Sequence, residues 1–372
     1  MREDWDIRLF KDVFDLQMGK TPDRKNFSLF EGDNTWVSIK DLDGKYISSS
    51  KECISDEAAK NIKLVKRGTV IMSFKLTVGK TAIAGKDLYT NEAIMAFNLR
   101  NGYDIDASFL YYYLKNYRWE GSNKAVMGIT LNKATISKHK IAIPPKPTQL
   151  SIVSELDKLN ELIRIKKEQL KDYDTLAQSI FYEMFGDPVV NDKKWEVKQL
   201  KDVSTLLNGR AYKQHELLDK GKYKVLRVGN FFTNSIFYYS DLELDDDKYC
   251  EYGDLLFAWS ASFGAFIWNG DKVIYHYHIW KVLFDKDCLN IQYYRYLLNT
   301  MTSFFMNDVH GIGMVHLTKS GMEQYDLPIP PLSLQHSFAH KIEQIERQKA
   351  AVQRTIKDLE TLLAVRMQYW FE

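Results

Sequence analysis

The sequence predicts an α+β protein. Two similar mixed α/β modules are separated by an antiparallel coiled coil of two long helices, in an internal tandem repeat with pseudo-two-fold symmetry. Three observations predict this. Segments recur in the same order at an offset close to 186, half of the 372 residues. Each copy begins with short strand-like runs punctuated by glycine. Each closes on a long stretch free of proline and glycine, with an apolar residue every third or fourth position. The resulting boundaries are a first module at 1–147, a first helix at 148–186, a second module at 187–333 and a second helix at 334–372.

The repeat is explicit. Residues 5–20 read WDIRLFKDVFDLQMGK and residues 195–210 read WEVKQLKDVSTLLNGR, sharing Trp, Lys-Asp-Val, Leu and Gly. RGTVIMSFKLTVGKTAI (67–83) aligns with YGDLLFAWSASFGAFI (252–267), each with two glycines 11 residues apart. KIAIPPKPTQ (140–149) aligns with YDLPIPPLSLQ (325–335) through Ile-Pro-Pro and a following Gln. Ordered matches at offsets of 183 to 190 rule out chance similarity of short apolar runs. Within each module, Thr69–Phe74 and Leu255–Trp259 read as strands, and Ser108–Asn116 and Gln292–Thr300 as short helices. The Pro-Pro pair ends the module, since proline lacks a donor and restricts the residue before it.

From Leu150 to Phe185 the apolar stripe includes Leu156, Leu159, Ile163, Leu170, Tyr173 and Ile180, and it breaks at Lys166. In the second copy it includes Ile342, Ile345, Val352, Ile356, Leu359 and Leu363, and it breaks at Lys349 and Arg366. A stripe held over nearly five heptads is a coiled-coil seam, and each helix is better buried against the other than left alone in water. Gly186-Asp187-Pro188 stops the first helix. Some 36 residues at 1.5 Å each make a strut of about 54 Å.

Composition excludes several classes. Hydrophobic residues at 45% and charged residues at 27% describe a folded chain of two to three domains rather than a disordered one. The start MREDWDIRLF is too charged for a signal peptide, and the weakly polar run from Leu255 to Trp268 is too short to span a membrane. Cys53, Cys250 and Cys288 lie far apart and read as free thiols of a cytoplasmic protein. The net charge is only +2, with 29 basic and 25 acidic side chains in residues 1–186. So weak a basic balance does not by itself mark a nucleic-acid binder.

No catalytic signature emerges, and no catalytic or metal-binding residue is assigned. Val78-Gly79-Lys80-Thr81 resembles the end of a phosphate-binding loop, but the position of that loop's first glycine holds Phe74. His276-x-His278 has no carboxylate or cysteine at ligand spacing and is explained as well by a polar or aromatic surface. Asp245-Asp246-Asp247 lacks the glycine and spacing of a calcium loop. Two segments suit DNA instead, because glycine permits close backbone approach, basic heads meet phosphates, and amides or hydroxyls read base edges. In the first module the candidates are Lys124, Thr130, Asn132, Lys133 and Lys138. In the second they are Arg210, Lys213, Arg227, His310, His316 and Lys319. On residues alone, an ordinary polar surface loop is the better explanation.

The ordered motifs, above all GDLLFAWSASFGAFIW (253–268), IPPKPTQ (143–149), IPPLSLQ (329–335) and FYEMFGDP (181–188), resemble those of the specificity subunit of type I restriction-modification systems over the whole chain. The resemblance implies two target recognition domains on a two-helix spacer, each reading one half of a bipartite, asymmetric double-stranded DNA site. It implies a non-catalytic subunit without a cofactor of its own. That subunit docks two modification subunits, which methylate adenine N6 with S-adenosylmethionine, and two motor-nuclease restriction subunits that use ATP and Mg. The first copy departs from the pattern, with Gly68-Thr69-Val70-Ile71 for Gly-Asp-Leu-Leu and Phe74-Lys75-Leu76-Thr77 for Trp-Ser-x-Ser. Contacts therefore do not transfer from one copy to the other. The competing expectation is a coiled-coil scaffold with no DNA role.

Overall fold

The computed structural model describes residues 5–119, 123–125, 128–232, 236–260, 262–307 and 317–372. They form two compact units, one of residues 1–167 with 354–372 and one of residues 168–353. No helix among the described residues is long and apolar enough to cross a membrane.

In the first unit, a ribbon pairs Asp6–Leu9 with Lys140–Ile143. A five-stranded sheet then runs in the order Phe14–Met18, Ile94–Leu99, Val70–Ser73, Thr81–Ala84 and Tyr46–Ile47. A three-stranded sheet places Asn34–Val37 between Glu52–Ile54 and Tyr89–Thr90, parallel to the last of these. The central strands Val70–Ser73 and Thr81–Ala84 are buried at every residue, so they read as unbroken apolar runs rather than as alternating ones.

The second unit repeats the scheme. Its ribbon pairs Glu196–Gln199 with Asp326–Ile329, and Pro328 is tolerated there because two-stranded ribbons have only edge strands. Its main sheet runs Ser204–Asn208, Ile279–Phe284, Leu255–Ser260, Ser262–Ile267, and Tyr223–Leu226 again lies parallel to Val273–Tyr275 in a second sheet.

The module helices differ in length. Ala107–Asn116 is capped by Asp106, whose Oδ1 accepts from Ser108 and Phe109. It ends at Tyr117, whose ring packs on Phe10 and Tyr113. Its counterpart continues over Ile291–Asn307, beyond the Gln292–Thr300 expected, because Met301 and Phe305 supply another buried turn.

The long helices span Lys146–Phe185 and Leu332–Phe371, four residues longer than the stripe from Leu150 suggested. Pro147 does not delay the start, since a first-turn amide has no partner within the helix. In the first unit Arg366 holds Glu155 and Lys167 holds Glu360 at 2.7 Å, so the helices are antiparallel. Leu156, Leu159, Ile163, Ile342, Ile345, Val352 and Ile356 are buried, while Leu170, Tyr173, Ile180, Leu359 and Leu363 are half-buried. Two breaks in the stripe carry cross-helix ion pairs: Lys349 donates to Asp174 at 2.6 Å, and Arg366 and Trp370 both donate to Glu155. Toward the helix ends the modules take over the burial. Ile152 and Leu156 join the first unit's core, and Phe181, Phe185 and Phe338 that of the second.

The glutamine after each Ile-Pro-Pro is fully enclosed. Gln149 donates to the carbonyls of Asp104 and Pro144 and accepts from the Asp106 amide. Gln335 donates to those of Cys288 and Pro330 and accepts from Asn290. One side chain thus ties the start of each long helix to the start of each module helix.

Candidate nucleic-acid interface

In the second unit the turn His276-Tyr277-His278 joins Val273–Tyr275 to Ile279–Phe284. Its backbone is pinned on three sides. The His276 amide donates to Leu226 O at 2.9 Å, the Tyr277 amide to Arg210 O at 3.1 Å, and the Trp259 amide to His278 O at 3.1 Å. The side chains form an aromatic group: His276 and His278 lie 4.8 Å apart, Tyr277 packs 4.0 Å from His278, and Trp259 stacks on Trp280 at 5.4 Å.

His278 borders two clefts. One, of about 770 Å³, is lined by Arg227, Asn230, Tyr238 and His276, and the other, of about 700 Å³, by Trp259, Tyr277, Thr318 and Lys319. Arg227 is exposed and lies 5.4 Å above the Tyr238 ring. Burial, then His278 and Arg227, push the His276 imidazole down to about 4, so it is neutral at pH 7 and can both donate and accept.

The first unit builds the same turn from Asn91, Glu92 and Ala93. The Asn91 amide donates to Val37 O at 3.0 Å, and the Phe74 amide to Ala93 O at 3.0 Å. Here Asn91 Oδ1 accepts from the Ala93 amide, and exposed Glu92 accepts from Thr21.

The structure places Arg227 and Lys319 each in one of the two clefts that His278 borders. Lys319 follows Thr318, the N-cap of Lys319–Met322, just as Lys133 follows Asn132, the N-cap of Lys133–Lys138. Lys133 and Lys138 are exposed, whereas the Asn132 carbonyl is engaged by the Thr135 amide. Arg210 makes a bidentate pair with Glu216 at 3.0 and 2.8 Å, which holds that carboxylate down near 2, and Lys213 lies beside it, exposed. Lys124 and Thr130 fall in paired strands whose side chains lie outside the described residues, as do His310 and His316 altogether. Neither Trp259 nor Tyr277 carries a DNA signal in sequence, and the two histidines read there as a metal pair or as a polar or aromatic surface. The available signal was an aromatic-histidine run bordered by strands, which looks like core until the fold exposes its edge.

Comparison with known proteins gives a consistent result. A family model described as the type I restriction modification DNA specificity domain matches twice, at residues 2–172 and 192–361. The chain is 25% identical over 371 residues to the type I restriction enzyme MjaIX specificity subunit of Methanocaldococcus jannaschii, covering 90% of this chain and 85% of the relative. It is 21% identical to the MjaVIII specificity subunit of the same organism, covering 97% and 92%. Among solved structures, one concerned with complex assembly and conformational transition of the type I R-M system superposes with a TM-score of 0.66 at 16% identity, covering 100% and 98% of the two chains. The type I restriction-modification S subunit from M. genitalium gives 0.53 at 12% identity, covering 99% and 96%.

Proposed function

The chain belongs to the family of type I restriction-modification DNA specificity proteins, and on that premise we propose how it does its work. It is the DNA-recognition subunit of a type I restriction-modification complex and performs no catalysis itself. The observation that carries this reading is the double family match, on two modules with one backbone plan and different edge chemistry. A bipartite, asymmetric target needs such a pair.

In this reading residues 1–147 and 187–333 are the two target recognition domains, and 148–186 and 334–372 the spacer helices, joined along the seam described above. Two modification subunits and two restriction subunits dock on it in the cytoplasm. S-adenosylmethionine, ATP and Mg belong to those partners. Of the residues proposed to face double-stranded DNA, Lys133, Lys138, Lys213 and Lys319 neutralise phosphates, as does Lys124. Arg227 or Asn132 pairs with a base, and Thr130, Arg210, His310 and His316 complete the DNA-facing set. Exposed lysines touching phosphate strengthen binding to every sequence alike, so removing one lowers the salt slope by about one unit.

The test is to map modified adenines in cells that express this chain with its modification partner. One split motif with unlike halves around a fixed gap is expected. A genome modified at no such motif, with the partner active on another specificity chain, would refute the reading.

A further inference from the structure

We infer that positions 227, 276, 277 and 278 read bases in one half-site, and that the register partners 38, 91 and 92 read those of the other, where buried Ala93 only closes the turn. The inference rests on the DNA-specificity reading and deepens it by assigning the readers.

Six pairs of hydrogen bonds fix the register. Gly19 donates to Ile94 as Gly209 does to Ile279, both at 3.3 Å, and Lys20 to Thr90 as Arg210 to Tyr275, at 2.9 and 3.0 Å. Asn91 matches His276, Phe74 matches Trp259, and Ile94 closes on Asn91 as Ile279 closes on His276. Finally, the amides of Ser38 and Arg227 each donate at 2.8 Å to a side-chain oxygen three residues on, from Asp41 and Asn230. The four positions therefore occupy the same places on the same backbone.

Their chemistry is unrelated: Ser38 against Arg227, Asn91 against His276, Glu92 against Tyr277, and Ala93 against His278. The positions whose amides hold the turn carbonyls behave otherwise, since Phe74 and Trp259 are both aromatic. Neutral drift of a solvated surface does not explain the second set. His276 and His278 are half-buried, and Arg227 is aligned over a ring. Such placement constrains side chains, and unlike constraint at matched places is what two unlike half-sites require.

The two edges suit different bases. A guanidinium with imidazole donors fits the acceptor-rich guanine edge, O6 and N7. The carboxylate of Glu92 fits an amino group, cytosine N4 in the first instance.

The test is selection from a random duplex pool by the full chain assembled with its modification subunit, using R227A, Y277E and E92Y. All three side chains are exposed, and matched thermal unfolding checks the fold. R227A and Y277E should each lower preference about 5- to 160-fold at one or two positions of one half-site, the loss of a single good base contact. E92Y should do so only in the other half. A motif unchanged by R227A and Y277E, changes in both halves, or weaker binding with the motif intact would overturn the assignment while leaving the DNA reading in place. If the unsubstituted assembly selects no motif, the DNA reading falls and takes the assignment with it.

Discussion

Two places where the copies can be compared residue by residue show opposite behaviour. At the base of each long helix, Gln149 and Gln335 make three matching hydrogen bonds from matching burial. At the module edge, an equally well matched backbone carries Asn91-Glu92-Ala93 in one copy and His276-Tyr277-His278 in the other. A helix base has one task, to satisfy the same carbonyls and amide in both copies, so one side chain serves twice. An edge meets whatever lies outside the module, and nothing inside requires the two edges to agree. Conserved chemistry on conserved backbone marks the frame, and divergent chemistry on the same backbone marks what the frame presents.

The most severe way to break the comparison is at Gly19 and Gly209. A Cβ on Gly19 would sit 2.1 Å from Thr90 O and 2.3 Å from Asn91 O. One on Gly209 would sit 2.3 Å from Tyr275 O and 2.5 Å from His276 O. These are backbone atoms that cannot swing away, and each crossing holds the recognition turn. Gly19→Ala and Gly209→Ala should each cost about 3 kcal/mol, the upper range for forcing atoms into filled space. That corresponds to roughly 6–12 °C in the unfolding of the affected unit. Calorimetry of the two variants should show equal losses, each with blurred recognition in its own half-site. A loss under 1 kcal/mol would mean the turn is not rigidly held.

Gln149→Ala and Gln335→Ala act one step smaller. Each leaves two carbonyls and one amide without partners in an enclosed site, at about 2–3 kcal/mol. Because the two sets of partners match, urea unfolding should give the same cost for both, and the DNA motif should stay unchanged. Unequal costs would show that the frame is less symmetric than its bonds.

Much of this frame was legible beforehand, and the reason differs by element. The long helices show in sequence because a seam repeats over dozens of residues. The first helix starts two residues before the expected 148, a start hidden because Pro147 in its first turn looks like a stop. The Ile-Pro-Pro…Gln motif was visible as a repeat, but its role was not, because burying a glutamine depends on carbonyls some 45 residues away. The edge was least legible. Arg210 and Asn132 carry suitable chemistry, yet Glu216 and the Thr135 amide engage them locally. The tryptophan and tyrosine at the second edge look in sequence like core material, and the histidines like an ordinary polar or aromatic surface. Periodicity reports burial along one element, whereas an edge is made by several elements meeting.

The smallest expected effect separates the two edges by pH. His276 is held near 4 by burial, with His278 and Arg227 adding repulsion, and the Tyr212 ring lies 6.3 Å away. Its ordinary value is 6.5. The unfolded chain therefore takes up a proton between pH 6.5 and 4 that the folded unit refuses. Stability from this group is fully present above pH 6.5 and falls as pH drops toward 4. Glu216 is held near 2 in the folded unit against an ordinary 4.5, so it adds a loss in the same direction below about pH 5, which the parent and His276→Asn proteins share. The register partner Asn91 does not titrate, so the first unit lacks this dependence. Urea midpoints of the second unit at pH 7.5 and 5.0 should differ by on the order of 1 kcal/mol, after allowance for solvent screening. His276→Asn, which places the first edge's residue in the second, should remove most of that difference, whereas Asn91→Ala should leave the first unit's pH profile as it was. Equal pH slopes in the parent and His276→Asn proteins would mean the imidazole is solvated and free to charge, and the turn looser than its backbone bonds imply.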